Sequence, residues 1–184
     1  MWTFPETLHL LPDERRRRRV LPRYLLADAR DAASFGGLLA VRNQGTVVGA
    51  AVFLPPEAQP VSAGRELRSV LPVVPALPWA IGAAREGAKG RRANRAQRED
   101  LPPHSWLRVI GVAPDHQGEG IGTALVDAVL VRADRAGTGC FLYTATEANV
   151  AWYRRFGFDI RATYHPTPSW PQVWAMWRHP VDAS

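Results

Sequence analysis

Val112-Ala-Pro-Asp-His-Gln-Gly-Glu-Gly-Ile-Gly122 is the stretch on which the reading of this chain turns. Its centre, Gln117-Gly118-Glu119-Gly120-Ile121-Gly122, lies between an apolar run, Trp106 to Val112, and a helix-patterned segment, Thr123 to Arg135. The run has the composition of a strand and the segment the period of a helix. Glycines at alternate positions let the main chain approach a bulky group closely. The opening turn of a helix presents N–H donors that have no intrahelical partner. Together with the helix dipole, these donors form a cradle for an anion such as a diphosphate. The spacing is neither the Gly-Lys-Ser/Thr of a nucleotide P-loop nor the Gly-x-Gly-x-x-Gly of a dinucleotide fold. Taken alone, it also fits a plain strand-to-helix turn.

Working outward, the 184 residues are enough for one domain with a substantial core, since a chain near 150 residues buries roughly two-thirds of its unfolded surface. A hydrophobic content of 46% and a charged content of 22% are ordinary for a globular protein. No apolar run approaches the roughly 20 residues that span a bilayer, and no signal peptide opens the chain. The single cysteine, Cys140, rules out an internal disulfide and fits a reducing cytoplasm. It heads an apolar strand and reads as a buried thiol. Lys89 is the one lysine among 23 basic residues, which points to coding bias rather than selection for charge. Arginines cluster at 15 to 19 and again between 85 and 98. The net charge of +6 permits nucleic-acid binding. No aromatic residues interleave with these arginines as stacking platforms, so the clusters read as solvated helix faces.

Pro12-Asp13-Glu14 opens a helix predicted to run, broken at Pro22, as far as Gly36-Gly37. Leu38 to Arg42 and Thr46 to Leu54, around Asn43-Gln-Gly45, predict a β-hairpin. Residues 62 to 99 look helical in pieces broken by Pro72, Pro75 and Pro78. A strand over 104 to 112, the helix, a strand Cys140 to Thr146 and a helix Glu147 to Phe156 follow. Two closing strands, Phe158 to His165 and Gln172 to His179, complete the order. The class is α/β (α+β): a mixed, mostly antiparallel sheet flanked by helices.

A second block, Asn149-Val-Ala-Trp-Tyr153-Arg-Arg-Phe-Gly157-Phe158, stands in order after the first. The two blocks resemble signatures of the GNAT superfamily of acetyl-CoA-dependent N-acetyltransferases. Gln117, Gly120 and Gly122 fill its Gln/Arg-x-x-Gly-x-Gly/Ala pattern, and Asn149, Tyr153, Gly157 and Phe158 fill Asn-x-x-x-Tyr-x-x-x-Gly-Phe. Within the superfamily, Val112 to Gly118 and the tail Val173-Trp-Ala-Met-Trp-Arg178 resemble puromycin N-acetyltransferase-like members. The resemblance implies a single N-acetyltransferase domain over 1–184, with a CoA-binding core at about 104–160 and acceptor-side helices at about 12–35 and 62–99. It also implies a leading strand for which there is little room, because only about ten residues precede Pro12. That first strand is therefore expected to be missing, whether through a start placed late or a strand dispensed with.

The resemblance gives acetyl-CoA as co-substrate. Main-chain amides of Gln117, Gly118, Glu119, Gly120, Ile121, Gly122 and Thr123 are expected to hold its diphosphate. Ile110 and Val112 are expected to pair with its pantetheine arm, and Asn149 to bind that arm. Tyr153 is the expected general acid, beside the sulfur, although a tyrosine anchoring the helix fits the same position. Puromycin-type relatives carry Glu as base where this chain has Tyr143, and a phenol with an ordinary pKa near 10 is no neutral-pH base. Tyr143, with Trp106, is expected to shape the acceptor pocket or pack there. His104, on the strand face of Trp106 and Arg108, is the remaining candidate base, with solvent or a structural histidine as the alternatives. Trp2, Trp79 and Trp170 fall in segments that cover the acceptor side in the family, where they fit the lining of an aromatic pocket or, more simply, core or surface packing. His116 reads as a turn residue. No metal-ligand spacing occurs, so no metal is expected.

The leading expectation is acetylation of a primary amine on a small molecule, such as an antibiotic, by a monomer or homodimer. An enzyme for protein N-termini or lysines is a rival. A non-catalytic acyl-CoA-binding regulatory module is another.

Overall fold

The computed structural model describes residues 5–70 and 80–181. Two helices lead: α1 (Pro5–Leu10) and α2 (Glu14–Ala33). The Asp13 carboxylate caps α2, accepting from the Arg16 N–H at 2.8 Å. Pro22 does not break α2, contrary to the sequence reading. It removes the N–H aimed at the Arg18 carbonyl and crowds that carbonyl, but the helix is held by its buried face, with Leu21 enclosed and Ala32, Ala29 and Phe35 in the core under the sheet.

The hairpin β1 (Leu38–Asn43) and β2 (Thr46–Leu54) turns through Gln44 and Gly45, at φ 47° and 82°. Positive φ at both positions is the two-residue turn that matches the twist of its strands. After a 3₁₀ turn at Pro56–Ala58 come α3 (Ala63–Val70) and α4 (Ala80–Ala96). Pro72, Pro75 and Pro78 lie outside the described residues. The chain continues through β3 (His104–Val112), α5 (Ile121–Arg135) and β4 (Gly139–Thr144). It ends with α6 (Glu147–Arg154), β5 (Asp159–Tyr164) and β6 (Val173–Arg178).

The six strands form one sheet in the order β1-β2-β3-β4-β6-β5, and only β3–β4 is parallel. No strand precedes β1 among the described residues; helices stand there instead. The β3–β4 ladder is short, pairing His104 with Gly139, Ser105 with Cys140 and Trp106 with Phe141 before the strands part. On the other side of β3, Phe53 pairs Leu107 but Val52 pairs Val109, which leaves Arg108 as an extra residue. Such a bulge bends a strand and sharpens its twist. It also turns Arg108 and Val109 to the same face.

Two cores cover the sheet. Leu107, Leu125, Val129, Leu142, Tyr153 and Phe158 pack on the α5 side, and Leu54, Trp106, Phe141 and Trp177 under α2. A bidentate pair, Arg178 to Asp134 at 2.7 and 2.9 Å, fastens α5 to β6. No described helix is long and apolar enough to cross a membrane.

Candidate functional site

Between β3 and α5 the chain makes a 3₁₀ turn at Pro114–His116, then reverses through Gly118 and Gly120 at φ 87° and 79°. L side chains rarely adopt that backbone region. Gly120 is the N-cap of α5 and its carbonyl accepts from Ala124 N–H at 3.0 Å. Gln117 closes the loop onto the strand, its Nε2 donating to the Val112 carbonyl at 3.3 Å. The Glu119 carboxylate is drawn aside by His116 Nδ1 at 3.1 Å. Among the described residues nothing accepts from the N–H groups of Gly118 to Thr123. Gly49 seats this end of α5 on β2, because a Cβ there would come within 2.6 Å of Ile121 Cγ2. The donors of an exposed loop and a helix start therefore converge on one face, which fits a diphosphate.

This loop hangs over the place where β3 and β4 part. Ile110 and Val112 pair with Ala51 and Gly49 of β2, while β4 pairs no residue of β3 beyond Trp106. A Cβ built on Gly111 would meet nothing within 4 Å, so backbone of another chain-like group could lie alongside. Asn149 and Tyr153, one turn apart on α6, share a face. Asn149 Nδ2 donates to Thr144 Oγ1, at the end of β4, at 3.3 Å. Tyr153 is buried between Trp152 and Phe158, with ring centroids 4.9 and 5.7 Å away. Burial, helped by Cys140, raises its pKa, so the phenol holds its proton at neutral pH. Burial likewise pushes the Cys140 thiol up to about 12, which leaves it inert as a nucleophile.

On the other face of the sheet a cavity of about 50 Å³ lies against Trp106 and Tyr143, roofed by side chains of α2, α3 and α4. Asp28 is 2% exposed, and Arg108 Nη1 lies 2.7 Å from its Oδ1, at an angle that makes no hydrogen bond. Burial raises the Asp28 carboxyl above its ordinary value, against the pull of Arg108. Arg65 holds Asp31 bidentately at 2.8 and 2.7 Å, and that hydrogen bond keeps the Asp31 carboxyl low. Arg95 reaches Glu66 at 2.8 Å. Arg98 lies over the Trp106 ring, 3.5 Å from its centroid, with Arg108 at 4.7 Å from the same ring. Trp106 Nε1 is enclosed without an acceptor.

The structure thus brings Trp106 and Tyr143 to this cavity, 6.2 Å apart between centroids, sets the glycine loop after the open edge of β3 and Asn149 at the end of β4, and buries Tyr153 in the core of the α5 side, beside Cys140. It does not bring His104 there. That ring sits on the paired part of β3, edge-on to Phe141 and Trp177 at 6.0 and 5.9 Å. Its Nδ1 meets the Pro102 carbonyl at 2.8 Å and its Nε2 is enclosed without a partner. Burial lowers its pKa. Trp170 is also elsewhere, packed on Gly90 of α4 and 5.1 Å from the His9 ring. Trp2 and Trp79 lie outside the described residues. Among the described residues no His, Cys, Asp and Glu cluster is placed to hold a metal ion.

Sequence reasoning missed Asp28, Arg91, Arg95 and Arg98. The arginines belong to the run read as a solvated face, yet three of them line the cavity. The one available signal was the alternation of Trp106 and Arg108 with His104 on β3.

The acetyltransferase (GNAT) family matches residues 3–158. A mycothiol acetyltransferase of Propionibacterium freudenreichii is 38% identical over 68 residues, 35% of this chain and 22% of that relative. The match therefore spans about a fifth of the relative's length. Among solved structures, a Corynebacterium glutamicum protein described as histone acetyltransferase HPA2 and related acetyltransferase superposes with a TM-score of 0.64 at 16% identity, covering 98% of this chain and 84% of that one. A Drosophila melanogaster polyamine N-acetyltransferase gives 0.54 at 17%, covering 91% and 82%. Chaetomium thermophilum Naa20, solved with a bisubstrate analogue, gives 0.53 at 15%, covering 89% and 81%. At such identities the likeness is one of fold.

Proposed function

The chain belongs to the acetyltransferase (GNAT) family, and from that premise we propose that it moves an acetyl group from acetyl-CoA to the primary amine of a small molecule. The observation that carries the reading is the parting of β3 and β4 just past Trp106 and Phe141. An anion-holding loop lies at one end of that opening, and a small polar cavity lies against Trp106 and Tyr143.

In this reading the N–H groups of Gly118 to Thr123 hold the diphosphate. The free β3 edge around Ile110 and Val112 lines up the pantetheine arm, and Asn149 fixes it at the end of β4. Acetyl-CoA supplies the acetyl group as a thioester: the amine nitrogen bonds to the acetyl carbon, the C–S bond breaks, and the thiolate gains a proton. Tyr153 gives that proton and is reprotonated from solvent. The amine's own proton leaves to solvent, because His104 is closed between Phe141 and Trp177 and Tyr143 stands where puromycin-type relatives carry Glu. Positioning is the main contribution, since well-oriented pairs reach effective molarities of about 10⁵ M or more. Acid catalysis adds roughly 10²–10⁴-fold.

The roof of α2, α3 and α4 favours a compact acceptor over a peptide laid in an open groove. The similarity of Val112 to Gly118 and of the tail to puromycin-type sequences supports an antibiotic amine. A single buried free cysteine is consistent with a cytoplasmic setting. Thiol release from acetyl-CoA against a panel of amines, puromycin and peptide N-termini included, tests the reading. Turnover of small amines is expected. Calorimetric binding of acetyl-CoA with no turnover on any amine points instead to an acyl-CoA-binding module.

A further inference from the structure

The cavity beside Trp106 holds an unbalanced set of charges. Each of its three carboxylates is taken: Asp28 by Arg108 at 2.7 Å, Asp31 by Arg65 at 2.7 Å and Glu66 by Arg95 at 2.8 Å. Arg98 is left over. Among the described residues no carboxylate lies within ion-pair distance of Arg98, and its guanidinium stacks on the Trp106 face, 3.5 Å from the ring centroid.

Stacking on an indole occupies the flat face of a guanidinium and leaves its in-plane N–H fork unused. That fork matches the two oxygens of a carboxylate. Burial draws the Arg98 pKa down to about 10, against the pull of Tyr143 and Glu66 and with Arg108 and Arg95 adding repulsion, so the group is still charged at neutral pH. A second donor in the same wall, Trp106 Nε1, is enclosed with nothing to donate to. Trp106 is also the last residue of β3 paired before the strands part. The leftover charge therefore lies one ring away from the opening in which the amine must react.

We propose that the acceptor amine carries a carboxylate and that Arg98 is the side chain that holds it. The proposal rests on the acetyl-transfer reading of this site and narrows its substrate class. Polycationic amines meet a wall already in positive excess, and removing water strengthens that repulsion.

The test is thiol release from acetyl-CoA with amino acids, each paired with its decarboxylated amine. Phenylalanine is run with phenethylamine, and arginine with agmatine. The acids should show kcat/KM about 100-fold above their partners, in line with a desolvated charge pair. Arg98→Gln should raise KM for the acids about 100-fold with kcat within a few-fold, and erase the preference. Arg98→Lys should recover part of it, which a merely structural role would not do. Equal or better turnover of the decarboxylated amines, or an unchanged KM for the acids in Arg98→Gln, overturns the proposal.

If no amine is acetylated although acetyl-CoA binds, the parent reading fails. The Arg98 assignment is then decided by calorimetric titration of the same amino acids into wild type and Arg98→Gln loaded with acetyl-CoA. Binding lost in the variant supports it. No binding to wild type, or equal binding to both, overturns it.

Discussion

Gly120 offers a perturbation whose effects on folding and on ligand binding separate cleanly. Its φ of 79° belongs to the region where a Cβ costs about 1–2 kcal/mol, and a Cβ there would touch nothing within 4 Å. Gly120→Ala should therefore lower stability by strain alone, about 2–8 °C in Tm for a chain of this size. Gly120→Asp carries the same strain, eased slightly because Asp tolerates that region better. It also adds a unit negative charge at the N-cap of α5. A carboxylate about 5 Å from a diphosphate charge costs about 3 kcal/mol at an effective dielectric of about 20. That corresponds to a weakening on the order of 100-fold. Differential scanning fluorimetry gives the shared Tm loss, and calorimetric titration with acetyl-CoA gives the Kd of each variant. The aspartate protein should melt no lower than the alanine protein yet bind acetyl-CoA about two decades more weakly. Equal Kd values for two folded variants would refute the placement of the diphosphate on this loop.

Tyr153→Phe should lower kcat by roughly 10²-fold and leave acetyl-CoA affinity near wild type, as stopped-assay kinetics and calorimetry would record; an unchanged kcat would return Tyr153 to a packing role. His104 makes stability depend on pH with a definite sign. Burial holds its folded pKa below the ordinary 6.5, so the folded state binds fewer protons there than the unfolded chain, and the stability this gives is complete above about pH 6.5 and lost as pH falls towards the folded value. Urea melts at pH 5 and 8 should show that loss in wild type and a smaller one in His104→Phe; equal losses would dissociate it from His104. Gly139→Ala drives a Cβ to within 2.2 Å of the Trp177 ring and 2.7 Å of the Arg178 carbonyl. It should cost about 1–3 kcal/mol by overpacking, and a melting temperature equal to wild type would contradict the packing of β4 on β6.

Much of the scaffold was legible because local chemistry dictates it. Asn43-Gln-Gly45 between apolar runs could hardly be other than a hairpin turn, and Pro12-Asp13-Glu14 marks the start of α2 by composition alone. Pro22 was misread for the opposite reason: its lost hydrogen bond and ring clash, about 3 kcal/mol, are local, and burial of one face of α2 at Leu21, Asp28 and Ala32 overrides them. The glycine loop could be read since positive φ demands glycine, whichever ligand lies above it. The cavity could not. How α4 and the turn after it settle on the sheet is a tertiary outcome, so Arg98, two residues past the helix end, looks the same in sequence as the solvated arginines around it. His104 shows the limit of strand alternation, which assigns a face but neither a depth nor a position along the ladder. It shares the face of Trp106, yet stands where β3 and β4 are still joined.

That short joint has a mechanical meaning. With three residue pairs as its only parallel seam, the sheet falls into two antiparallel plates, β1-β2-β3 and β4-β6-β5, joined at Trp106 and Phe141 and by the cores on both faces. Amide exchange in the two plates should then be governed by separate openings rather than by one cooperative event. A strand-like molecule lying along the vacant edge of β3 would continue the seam and weld the plates. Catalytic readiness and the rigidity of the whole molecule would on this view be the same property, gained when the co-substrate arrives and surrendered when it leaves.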